Sequence, residues 1–230
     1  MTRVDAALLW LEEHSSKSVR EGMLRYAIPN THALGVRMAD IQKLGRKLGS
    51  DHALALALWK TGIYEAQMLC AYVDEPERVT AAQMDAWAKD FSNWAICDTL
   101  CFALWWRTPH AFDKIRKWAT HRQEFVKRAA FALLASVALK DREASDAPFR
   151  RGLRLIEKAA QDERNFVKKG VNWALRGVGE RNRALHEAAV TLAGKLAASP
   201  DATPRWVGKD ALRQMRQASV QRRLDRKAAR

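Results

Sequence analysis

Two pentads set 41 residues apart constrain this chain more than any other feature: Phe125-Val126-Lys127-Arg128-Ala129 and Phe166-Val167-Lys168-Lys169-Gly170. That period falls within the ~40–47 residues of arrays built from helix pairs, in which each pair buries its apolar face only against its neighbours. Ile63-Tyr64-Glu65-Ala66-Gln67 and Ser92-Asn93-Trp94-Ala95 stand in similar positions at the starts of earlier helices. The helix starts near residues 65, 94, 127 and 168 are therefore expected along one concave wall.

Helical periodicity recurs from end to end while strand alternation is nearly absent. The expected fold is all-α: an α-α superhelix (solenoid) of HEAT-like helical repeats with a concave basic face. Thr80-Ala81-Ala82-Gln83 has capping-box spacing and opens a helix to about Asp90. Ser92 is the expected N-cap of a central helix that continues through Trp105-Trp106-Arg107. Thr108-Pro109 and Thr203-Pro204 read as cap-then-proline starts. A helix from Ser18 to Ala27 should stop before Pro29, since the residue preceding proline avoids the α region. Residues 1–217 are read as one domain and 218–230 as a basic C-terminal tail.

Lys and Arg number 40 against 26 Asp and Glu, a net charge of +14. That imbalance points to a polyanionic partner, nucleic acid before an acidic membrane surface. Half of the excess lies from Arg205 to Arg230, where nine cations meet two aspartates. Three cysteines, an odd number without framework spacing, indicate a reducing compartment and unbridged thiols. Cys97 and Cys101 are four apart, yet no further ligand follows at metal spacing, so they read as small buried residues. The N-terminus lacks a basic start with an apolar run, and no uncharged run approaches the ~20 residues that span a bilayer. The expectation is a cytoplasmic protein, nucleoid-associated when bound to DNA, without membrane or metal.

Trp94 and Asp98 lie four apart, which puts an indole and a carboxylate side by side on one helix face. Such a pair can hold an apolar or cationic group and stabilise developing positive charge. Lys169, Trp173 and Arg176, spaced i, i+4, i+7, share a face of a later helix. With Lys127, Arg128 and Lys168 they would give the wall two indoles, one acid and a rim of cations. Singly, each has an ordinary reading: Trp173 in a core, the lysines as solvated helix charges. The joint pattern suits phosphate contacts that are indifferent to sequence, around an acid that needs a task.

The residues resemble the AlkD-type DNA alkylation-repair glycosylases over about Arg20 to Gln217. The resemblance is carried by Tyr26 with Leu34-Gly35-Val36, Trp59 with Glu65, Ser92-x-Trp94-x-x-x-Asp98, Val126-Lys127-Arg128-Ala129-Ala130, and Val167-Lys168-Lys169-x-x-x-Trp173-x-x-Arg176. It implies that Trp94, Asp98 and Trp173 form a catalytic cleft, with Tyr26 near it and Arg128 on the DNA backbone. It further implies removal of cationic alkylpurines, 3-methyladenine and 7-methylguanine among them, from double-stranded DNA by a monomer without cofactor, the lesion staying stacked. Asn93 and Ala95 depart from a pattern in which family members often carry a second Trp and an Asp there; this bears on substrate range. A non-catalytic helical scaffold that binds nucleic acid or an acidic protein is the other class of reading.

Overall fold

The computed structural model describes residues 1–229, and the regular elements among them are all helical. The chain forms two compact units, Met1–Thr108 and Pro109 onward. The first holds α1 (Arg3–Glu13), α2 (Lys17–Gly22), a 3-10 turn Met23–Tyr26, α3 (Met38–Leu48), α4 (His52–Trp59), α5 (Tyr64–Val73), α6 (Ala81–Lys89), α7 (Trp94–Ala103) and a second 3-10 turn, Trp105–Arg107. The second holds α8 (Ala111–Trp118), α9 (Glu124–Lys140), α10 (Asp146–Ala159), α11 (Asn165–Gly179), α12 (Arg183–Ala197), α13 (Ala202–Met215) and α14 (Ala218–Ala228). No helix among the described residues is long and apolar enough to cross a membrane.

In the second unit the chain runs in pairs, α8 with α9, α10 with α11 and α12 with α13. The second members, α9, α11 and α13, pack in series, and so do α3, α5 and α7 in the first unit. The pentads explain the series in the second unit, since they open α9 and α11. Val126 and Val167 are both fully inside, and the rings of Phe125 and Phe166 meet at 5.2 Å. Polar bonds then pin one repeat to the next: the Phe166 N–H donates to Glu124 Oε1 at 3.1 Å, and Arg128 Nη1 donates to the Phe166 carbonyl at 2.7 Å. Small residues let α9 and α11 come close. A Cβ at Gly177 would stand 3.2 Å from Ala135 Cα, so a larger residue must push the two backbones apart.

Several helix ends differ from the sequence-based expectation. The N-cap of α7 is Asn93, not Ser92: the buried Asn93 Oδ1 accepts from the N–H groups of Ala95 and Ile96 at 3.0 and 3.1 Å. A carboxamide one residue later satisfies two of the orphan donors of the first turn. The helix ends at Ala103, and Trp105–Arg107 forms a separate 3-10 turn in which Trp105 is wholly buried beside Phe91. α8 starts at Ala111 rather than at Pro109. α13 starts at Ala202, leaving Pro204 third in the first turn, where its missing N–H costs no intrahelical bond. The second helix divides: α2 ends at Gly22, the 3-10 turn follows, and Ala27 at φ 55° closes it.

In the basic segment after Gln217, Ala218–Ala228 form α14. Val220 and Leu224 are buried, the Lys227 ammonium donates to the Glu180 carbonyl at 2.7 Å, and Arg183 reaches both Gln221 and Asp225.

Candidate functional site

Trp94 opens α7 because Asn93 caps it, and Asp98 follows one turn later. Both side chains are partly exposed, whereas Ile96, Cys97, Leu100 and Cys101 on the same helix are buried. The helix therefore spends its apolar face on the core and leaves the indole and the carboxylate at the surface. Trp94 is held in place: its Nε1–H donates to the Tyr26 carbonyl at 2.8 Å. Tyr26 itself is 67% exposed. Its backbone thus orients the indole and its ring stands in solvent beside it.

The segment that carries Tyr26 is anchored from below by a buried acid that periodicity alone did not single out. Glu65, at 0% exposure, accepts the N–H groups of Leu34 at 2.9 Å, Gly35 at 2.7 Å and Val36 at 3.2 Å. The Tyr64 N–H donates to the His32 carbonyl at 2.9 Å, tying the same loop to the start of α5. Gly35 is required there: its φ is +85°, and a Cβ would lie 2.3 Å from the Ser16 carbonyl oxygen. Burial, with Glu65 beside it, pushes the Tyr64 phenol above its ordinary value. Between the starts of α5 and α7 lies a recess of about 230 Å³, lined by His32, Tyr64, Gln67, Ser92 and Asn93 among others.

In the second unit Trp173 is partly exposed and Lys169 exposed. Lys168 lies with its ammonium 5.0 Å from the ring centre of Trp206, which is 40% exposed. The other cations are committed to the protein. Lys127 pairs with Asp162 at 2.9 Å; Arg128, 7% exposed, holds the Phe166 carbonyl; and Arg176 is half-buried against the Gln214 side chain. Trp206 was not anticipated, yet a signal existed. Trp206-Val207 lies 40 residues after Phe166-Val167, a third copy of the aromatic–valine step, and Val207 is buried like its predecessors.

Asp162 is the hub under Lys127. Arg164 chelates it through Nε and Nη2 at 2.9 and 2.6 Å and also reaches the Arg122 carbonyl one repeat back. The Arg164 guanidinium first, then Lys127, hold this carboxyl well below the usual carboxylate range, against the opposing effect of burial. A depressed folded-state value stabilises the fold above the unfolded value of about 4, and that share is lost as pH falls through the folded value. The stability difference between wild type and Asp162→Asn is therefore expected to stay constant above about pH 5 and to narrow below about pH 4, in urea titrations at stepped pH.

A family model described as DNA alkylation repair enzyme matches residues 8–215. A solved structure described as "a new family of proteins related to the HEAT-like repeat DNA glycosylases with affinity for branched DNA structures" aligns with a TM-score of 0.78 at 18% identity, over 94% of this chain and 96% of that one. At that identity the likeness speaks for the fold. No curated protein matches in sequence.

Proposed function

Since the chain belongs to the DNA alkylation repair enzyme family, we propose that it is a DNA glycosylase that hydrolyses the N-glycosidic bond of positively charged N-alkylated purines in duplex DNA. Lesions of the 3-methyladenine and 7-methylguanine type are its substrates, and base excision repair follows from the abasic site it leaves. The observation that carries this reading is the Trp94–Asp98 pair, presented at the surface of α7 with the indole fixed through Tyr26.

Alkylation places a positive charge on the purine, so the base departs neutral and needs no general acid. Breaking the bond moves that charge onto C1′ and the ring oxygen of the deoxyribose. Asp98 stabilises this oxocarbenium-like sugar and positions the water that attacks C1′, taking up the proton the water sheds. The electron-rich faces of Trp94 and Trp173 favour the same cationic sugar. The reading calls for no cofactor, because the lesion brings its own activation.

Lys168 and Lys169 serve as phosphate contacts, with the Tyr26 ring beside the lesion. Lys127, Arg128 and Arg176 add positive field while holding the helices that present them. In this reading the protein acts as a monomer on chromosomal DNA in the cytoplasm.

The solved structure's description, affinity for branched DNA, favours a second reading in which this chain binds DNA without excising a base. One assay separates the two. Duplex DNA methylated with a simple alkylating agent is incubated with the protein, and free 7-methylguanine and 3-methyladenine are measured by chromatography. Release of either supports excision; tight binding with no release overturns it and leaves the second reading.

A further inference from the structure

α8 and α10 frame a groove of about 330 Å³ on the second unit, on residues that the proposed reaction does not use. Its floor is apolar. Ile115 and Gly152 are buried within it, Phe112 and Leu155 are half-buried, and Phe112 meets Phe149 edge-on at 5.7 Å. Along α10 the spacing of Pro148, Gly152 and Leu155 lays an apolar row beside a basic one.

The basic row lies along the rim of that floor. Arg151, Arg154 and Lys158 are exposed, line the groove at i, i+3 and i+7, and make no hydrogen bond or ion pair with any described residue. Arg116 across from them is already matched by Asp113 at 3.0 Å. Several other cations of this unit do find carboxylates: Arg164 with Asp162, Arg183 with Asp225, Lys195 with Glu157, Arg223 with Glu180. Like charges one turn apart repel, and no described residue compensates this triplet above its apolar floor.

We propose that this groove docks an acidic amphipathic segment of another protein, with bulky apolar side chains on the floor and carboxylates on Arg151, Arg154 and Lys158. A duplex backbone would satisfy the cations and leave the floor empty. A helix with apolar residues along one stripe and acids flanking them satisfies both. The volume suits one or two large side chains rather than a whole small molecule, lying at the low end of ligand cavities of about 300–1,000 Å³.

The test uses a fluorescent synthetic peptide of about four helical turns, with Leu and Phe at i, i+4 and i+7 and glutamates beside them, against a scrambled peptide of equal composition. Anisotropy is read at 0.15 M salt, where exposed charges are screened beyond about 8 Å. The ordered peptide is expected to bind at least about ten-fold more tightly than the scramble. Arg151→Gln/Arg154→Gln and, separately, Leu155→Asp should each remove that preference without changing the melting temperature. Affinity for unmodified duplex DNA should stay within about two-fold in the double variant. Three results overturn the proposal: no preference over the scramble, a preference that survives the double variant, or duplex affinity falling as far as peptide affinity. The last would assign the face to DNA. None of these depends on whether the protein excises bases.

Discussion

Asp98→Asn is expected to lower the single-turnover release of 7-methylguanine by about 10²–10³-fold, with affinity for the methylated duplex within about a factor of two. The substitution keeps the volume and the hydrogen-bonding shape of the side chain and removes only its charge. Asp98 is a partly exposed residue of α7, away from the cap that Asn93 supplies, so the start of the helix is untouched. In the ground state the lesion's charge sits on the purine; it moves to the sugar as the bond breaks. On the proposed reading the carboxylate therefore acts mainly in the transition state, and its loss appears in the chemical step rather than in binding. Binding could even tighten, since an anion has been taken from a surface that must face phosphates. The controls are the melting temperature and duplex affinity, both unchanged. Release at the wild-type rate would remove Asp98 from the chemistry.

How far such residues were legible depends on the kind of information involved. The all-helical fold was readable because a buried period leaves a mark: Phe125-Val126 and Phe166-Val167 repeat where one helix meets the next. The i,i+4 relation of Trp94 and Asp98 was readable too, since helix geometry alone puts them on one face. What spacing cannot convey is which polar groups find one another across the chain. Lys127, Arg128 and Lys168 look alike as cations after an apolar pair. One is neutralised by Asp162, one is buried against a carbonyl 38 residues away, and one lies over Trp206. Ser92 and Asn93 are both good caps on composition, and only the geometry of the preceding turn decides that the carboxamide reaches two donors. The departure from the family pattern at Asn93 thus has a structural occupation in this chain: it starts the helix that carries Trp94.

Glu65→Ala should destabilise the first unit by roughly 3–5 kcal/mol. The acid is fully buried and accepts three consecutive backbone N–H groups, those of Leu34, Gly35 and Val36. Truncation strands all three donors, those of Gly35 and Val36 in buried surroundings, at about 1–3 kcal/mol for each one that water cannot reach. The loop has little freedom to re-form elsewhere. Gly35 is pressed against the Ser16 carbonyl and Arg20, while the His32 carbonyl is tied to α5. Glu65→Gln separates charge from shape. Its amide presents one acceptor and one donor to a row of donors, so at least one N–H is left facing another, and about half of the loss should remain. Hydrogen exchange gives the local readout: the amides of Leu34, Gly35 and Val36 should lose protection before those of α5 do, because the loop opens first. The consequence reaches the proposed site through the chain itself. Residues 27–36 lead directly from the Tyr26 carbonyl that holds Trp94, so a loosened loop frees the indole and should slow excision while Asp98 is intact. A Glu65→Ala protein within about 1 kcal/mol of wild type, with the three amides still protected, would show that some other group had taken over the donors.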